Sequence, residues 1–114
     1  MKEALTSAKV RNLVENELSG MPVEQSGRVR KYLLEPYMTQ RSWAYGPDTF
    51  RCWIALADKN SGTGIAFCEQ EPQSDRRWIL LWIDGNRGNG DLGQDSSWFN
   101  SLEDAFNDSF MVNG

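Results

Sequence analysis

At 114 residues, with 39% hydrophobic and 11% aromatic residues, the chain is sized for a single domain and is too rich in large rings for a disordered segment. Its longest apolar run, Trp78-Ile79-Leu80-Leu81-Trp82-Ile83, falls far short of the ~20 residues that a membrane-spanning helix needs. The net charge of −4 disfavours a phosphate backbone as partner, because such binding relies on Lys and Arg displacing counterions.

The first predicted element is an amphipathic helix over residues 2–18, where Val10, Leu13, Val14 and Leu18 recur at helical spacing and Leu5 and Ala8 extend the stripe. Gly20, suited to a left-handed cap, and Pro22 end it. A second helix is expected over residues 25–34, with Val29, Tyr32 and Leu33 inward, Arg28, Arg30 and Lys31 outward, and Pro36 as its stop. Residues 37–45 alternate like a strand, yet their polar content suits an edge or an ordered loop, followed by a turn at Gly46-Pro47-Asp48.

From Phe50 the pattern is β-type. Residues 50–57 and 63–69 flank an Asp58-Lys59-Asn60-Ser61-Gly62 turn, which predicts a hairpin. A register that pairs residue numbers summing to 120 sets Cys52 opposite Cys68. Residues 77–83 supply a third strand, apolar on both faces as a covered central strand would be. Trp78 and Trp82 project from the same face.

Residues 84–97 form a Gly/Asn/Asp-rich loop, after which Trp98 and Phe99 lead to Ser101. Ser101-Leu102-Glu103-Asp104 approximates a capping box and opens a closing helix that buries Leu102, Ala105, Phe106 and Phe110. The expected fold is therefore one α+β domain over residues 1–114, ordered α-α-β-β-β-α, with a small antiparallel sheet of three to four strands packed against helices.

Chemistry is restricted above all by the absence of histidine, which removes Ser-His and Cys-His nucleophile pairs, most catalytic zinc sites and the usual proton shuttle near neutral pH. Cys52 and Cys68 without His or a C-x-x-C spacing make a poor metal site, so buried thiols acting as small hydrophobes are expected. The 84–95 loop reads G-x-x-G-x-G with no helix directly after it, which is not a dinucleotide-binding fingerprint. It also lacks the third ligand and distal Glu of an EF-hand; a looser calcium site on Asp84, Asp91 and Asp95 is weaker than a surface-loop reading. No catalytic, cofactor or metal site is legible, and a non-enzymatic role is expected.

What the sequence offers instead is asymmetry. Residues 1–57 carry eight basic and six acidic side chains and residues 58–114 carry four and ten, giving +2 and −6. Asp84, Asp91, Asp95, Glu103 and Asp104, with Trp98 and Asp108 nearby, would form an acidic, aromatic-rich face for a basic protein partner. A three-stranded sheet covered on one side would also leave rings exposed, which points to a protein interface or a homodimer. The alternative is a small-molecule-binding or enzymatic cleft between the sheet and residues 37–45, where Arg41, Trp43 and Tyr45 could hold an anionic or planar ligand. Arg28, Arg30, Lys31 and Arg41 with Tyr32, Tyr37 and Trp43 suit nucleic acid locally, against the overall charge. The segment after Met1 has no apolar run of the secretory type, so a cytoplasmic location is expected.

Three stretches have a family look: Cys52-Trp53-Ile54, the run from Gly62 to Glu69, and Asp95 to Phe99 with Ser101 to Phe106. Together they resemble small bacterial proteins of uncharacterised function, and the resemblance covers roughly the C-terminal half. In size, acidity and lack of catalytic groups the chain is also similar, as a class, to bacterial immunity proteins and small inhibitors. This likeness implies a protein partner and assigns no residues.

Overall fold

The structure, a computed structural model, describes residues 5–42, 49–69, 77–83 and 98–109, with Arg41, Ser42, Thr49, Phe50 and Trp82 described by backbone alone. Helices α1 (Ser7–Ser19), α2 (Val23–Arg30) and α3 (Leu102–Asn107) accompany strands β1 (Leu33–Ser42), β2 (Thr49–Asp58), β3 (Thr63–Cys68), β4 (Trp78–Trp82) and β5 (Trp98–Phe99). The strands form one antiparallel meander in the order β1-β2-β3-β4-β5. The α+β class is as expected, but the sheet has five strands, because β1 and β5 add an edge on each side of the predicted three.

Helix α1 starts at Thr6, whose hydroxyl accepts the Lys9 N–H at 3.2 Å, and buries Val10, Val14 and Leu18. Gly20 closes it with φ −88°, in the right-handed region, so the cap makes no use of glycine's left-handed freedom. The stop comes from Pro22, which leads directly into α2.

The second helix ends four residues earlier than its pattern predicts. Leu33 and Leu34 belong to β1, where Leu33 pairs with Leu56, and the Tyr32 carbonyl accepts the Ala57 N–H at 3.1 Å. Sheet pairing supplies these backbone groups with partners that a short polar helix could not improve on. Pro36, expected to end the helix, lies inside β1 at the shift in register between Leu33 and Tyr37. An edge strand tolerates proline there, since no ladder bond needs its missing N–H. Residues 37–42, ambiguous in the sequence, pair with β2.

The predicted hairpin register holds from Cys52↔Cys68 to Ile54↔Ala66 and then shifts, so that Leu56 faces Ile65. That irregularity turns both Ala55 and Leu56 toward the helices. At the turn, Gly62 has φ +73°, a conformation that disfavours any side chain. The Asp58 carboxylate accepts the Asn60 N–H at 3.1 Å and the Ser61 hydroxyl at 2.9 Å, a local network typical of Asp in turns.

Two apolar clusters lie on opposite faces of the sheet. Beneath the helices, Val10, Val14, Leu18 and Val29 meet Trp53, Leu56, Ile65, Phe67, Trp78, Leu102 and Phe106. The other face gathers Cys52, Ile54, Ala66, Cys68, Ile79, Leu81 and Trp98. Strand β3 is buried at every position because it serves both. Trp53, Trp78 and Trp98 are 9%, 4% and 6% exposed, so these three rings belong to the core, whereas Tyr37 of β1 is 42% exposed. Among the described residues, no helix is long and apolar enough to cross a membrane.

Gly64 sits where β3 passes the irregular part of β2. An added Cβ would lie 2.6 Å from the Leu56 carbonyl oxygen and 2.9 Å from Cδ1 of Ile83, whereas one at Gly27 on α2 would meet nothing within 4 Å. Gly64→Ala is therefore expected to lower unfolding free energy by about 1–3 kcal/mol, and Gly27→Ala to raise it by roughly 0.5–1 kcal/mol. Urea denaturation of both variants measures the pair of opposite signs.

Candidate functional site

Helix α3 forms because Ser101 caps it, its hydroxyl accepting the Asp104 N–H at 3.1 Å. A second cap comes from far away in sequence: the Leu102 N–H donates to Oε1 of Glu17 at 2.7 Å. Glu17 stands near the C-terminal end of α1, where a carboxylate opposes its own helix dipole, but it serves the positive end of α3. No local sequence pattern could have revealed this pairing across 85 positions.

With Leu102, Ala105 and Phe106 buried, α3 turns its acidic side chains outward. Asp104 and Asp108 are exposed and Glu103 is half-buried. None of the three carboxylates makes an ion pair among the described residues. The other carboxylates mostly do structural service: Glu15 pairs with Arg30 at 3.0 Å, Glu35 pairs with Arg11, and Glu69 lies 3.0 Å from Nε of Arg51. Glu69 also accepts the Leu5 N–H at 2.9 Å, fastening the chain before α1 to the end of the β2–β3 hairpin. Glu103 and Asp104 favour the helix start in their own right, so their charge has a local role as well as an outward one.

Of the residues predicted for partner binding, Glu103 and Asp104 thus share one helix. Trp98 pairs with Ile79 and is buried in the second cluster, so its ring is packing and not surface. Its burial follows from β5, which the sequence does not announce because two residues are too few to show alternation. Asp84, Asp91 and Asp95, with the proposed calcium site, lie outside the described residues. The same holds for Trp43 and Tyr45 of the alternative cleft and for Phe110.

A cleft of about 310 Å³ does exist, but farther back along β1. Arg11, Val14 and Glu15 of α1 and Leu33, Leu34, Glu35 and Pro36 of β1 line it. It opens where the strand loses register, and two of its lining residues are bonded by the Ser7 hydroxyl, at Oε1 of Glu35 and at the Pro36 carbonyl, each at 2.7 Å. Its charged groups are already matched, Arg11 with Glu35 and Glu15 with Arg30. The Arg30 pairing also removes one cation from the basic group on α2.

The thiols of Cys52 and Cys68 meet across the hairpin at 2.9 Å, both fully buried. Among the described residues, no three His, Cys, Asp or Glu side chains come together as a metal site would require. Comparison with protein-family models, curated proteins and solved structures yields no match.

Removal of the long-range cap should loosen α3 selectively. Glu17→Ala is expected to cost about 1 kcal/mol, with faster amide hydrogen exchange in α3 than in α1. Uniform acceleration across both helices would instead indicate a global effect.

Proposed function

We propose that this chain is a non-enzymatic protein-binding module, of the immunity or inhibitor type, that engages a basic protein surface through an acidic face. The supporting observation is the sorting of its carboxylates. Glu15, Glu35 and Glu69 are paired within the protein, while Glu103, Asp104 and Asp108 point outward from α3 without a cation among the described residues. Residues 58–114 carry ten acidic and four basic side chains, a net −6, so Asp84, Asp91 and Asp95 add to the same sign of field. Such a field accelerates encounter with an oppositely charged surface and rejects like-charged ones.

The second reading, a small-molecule site, now draws its support from the α1–β1 cleft, whose volume falls at the lower end for ligand pockets. It is less favoured, because the polar groups around it already satisfy one another.

The test uses the full chain as bait in its native host. A stoichiometric basic partner is expected, released at roughly 0.5 M salt, where charges are screened within a few ångströms. Glu103→Lys and Asp108→Lys should each weaken the purified complex by about tenfold. Asp108→Lys complements the C-terminal end of α3, so it separates lost binding from lost folding. Absence of a stoichiometric partner, or affinity indifferent to both charge reversals, would count decisively against the proposal.

A further inference from the structure

We propose that Cys52 and Cys68 are a site of reversible oxidation, closing an intramolecular cross-strand disulfide when the protein meets a peroxide. The two residues face each other across β2 and β3, and the backbone bonds around them identify the kind of pair. Glu69 N–H donates to the Arg51 carbonyl at 3.0 Å, while the Cys68 N–H turns the other way, to the Arg77 carbonyl at 2.9 Å. Residues 51 and 69 are therefore a hydrogen-bonded pair, and the alternation of an antiparallel ladder makes 52 and 68 the non-hydrogen-bonded pair beside it. At such positions Cα atoms lie about 4.5 Å apart and side chains approach most closely, within the ~4.4–6.8 Å that disulfides span. The thiols are 2.9 Å apart, so a bridge closes with an approach of roughly 0.9 Å to the ~2.05 Å bond length.

Their surroundings favour this chemistry over metal capture, since Ile54, Ala66, Ile79 and Leu81 share the cluster and add no ligand. One sulfur, as thiolate, attacks a peroxide oxygen; the O–O bond breaks, water leaves after protonation, and a sulfenic acid remains. The second sulfur then attacks the first, forming the S–S bond and releasing a second water. Two thiols and one hydrogen peroxide thus give one disulfide and two waters, with two electrons passing from sulfur to oxygen. A dithiol reductant reverses the step by exchange.

Burial makes access the limiting factor. Cys68 is the last residue of β3, and its carbonyl is held by Nε of Arg77 at 3.0 Å. The neighbouring Glu69 carbonyl accepts from the same guanidinium. A small oxidant therefore reaches the thiols only through transient local breakage of these bonds.

Reduced wild-type protein exposed to hydrogen peroxide should lose both thiols, as titrated after denaturation, and should lose the mass of two hydrogens while remaining a single chain. Its Tm should rise by on the order of 10 °C, and dithiothreitol should restore the starting state. Cys52→Ala under the same treatment should show neither the mass loss nor the rise in Tm. Survival of both wild-type thiols, oxygen addition at either sulfur, or a disulfide formed only between two chains would overturn the proposal.

Discussion

Strand β3 sets the terms for the rest of the molecule, because among the described residues it is the element buried on both faces along its whole length. Ile65 and Phe67 pack beneath the helices, and Ala66 and Cys68 pack into the opposite cluster. Neither cluster would persist if the strand slipped by one residue, since a single step exchanges every side chain between faces. The register is held by three devices acting together. The Asp58–Gly62 turn fixes one end, the Arg51–Glu69–Arg77 group fixes the other, and Gly64 admits close approach of the Leu56 carbonyl between them. Phe67 adds an edge contact with Trp78 at 4.9 Å and a face contact with Arg77 at 4.6 Å. Each such contact stabilises by roughly 0.5–1.5 kcal/mol beyond the area buried.

Carboxylates then tie the helices to this frame. Glu69 holds the approach to α1, Glu35 holds its first turns through Ser7 and Arg11, Glu15 joins α1 to α2, and Glu17 joins α1 to α3. Exposed pairs such as Glu15–Arg30 contribute little, whereas Glu17 and Glu69 satisfy backbone donors at partly buried positions and matter more. The consequence for function is a division of labour within an acidic protein. Some negative charge is consumed internally, and among the described residues Glu103, Asp104 and Asp108 on and just after α3 are left over, as is Glu24 of α2.

One buried donor, Nε1 of Trp53, has no acceptor among the described residues. Its ring faces the helices between Met38 of β1 and Phe67 of β3. Burying a ring of roughly 150–250 Å² at ~25 cal/mol/Å² gains about 4–6 kcal/mol, which exceeds the cost of about 1–3 kcal/mol for an unmade hydrogen bond.

Local chemistry in the sequence determined α1, the β2–β3 hairpin with its initial register, β4 and the capped start of α3. Each is written in apolar periodicity, in turn residues or in a hydroxyl at a helix start, all of which act between near neighbours. The outward acids of α3 were legible for the same reason. Tertiary structure alone decided that Leu33 and Leu34 pair in a strand, that Trp98 is core, that Glu17 caps a helix 85 positions away, and that the thiols touch within a non-hydrogen-bonded pair. These outcomes depend on which distant backbone or side-chain group offers a partner. A short segment with mixed local preference takes the state in which its polar groups are best satisfied, and only the assembled sheet specifies that state.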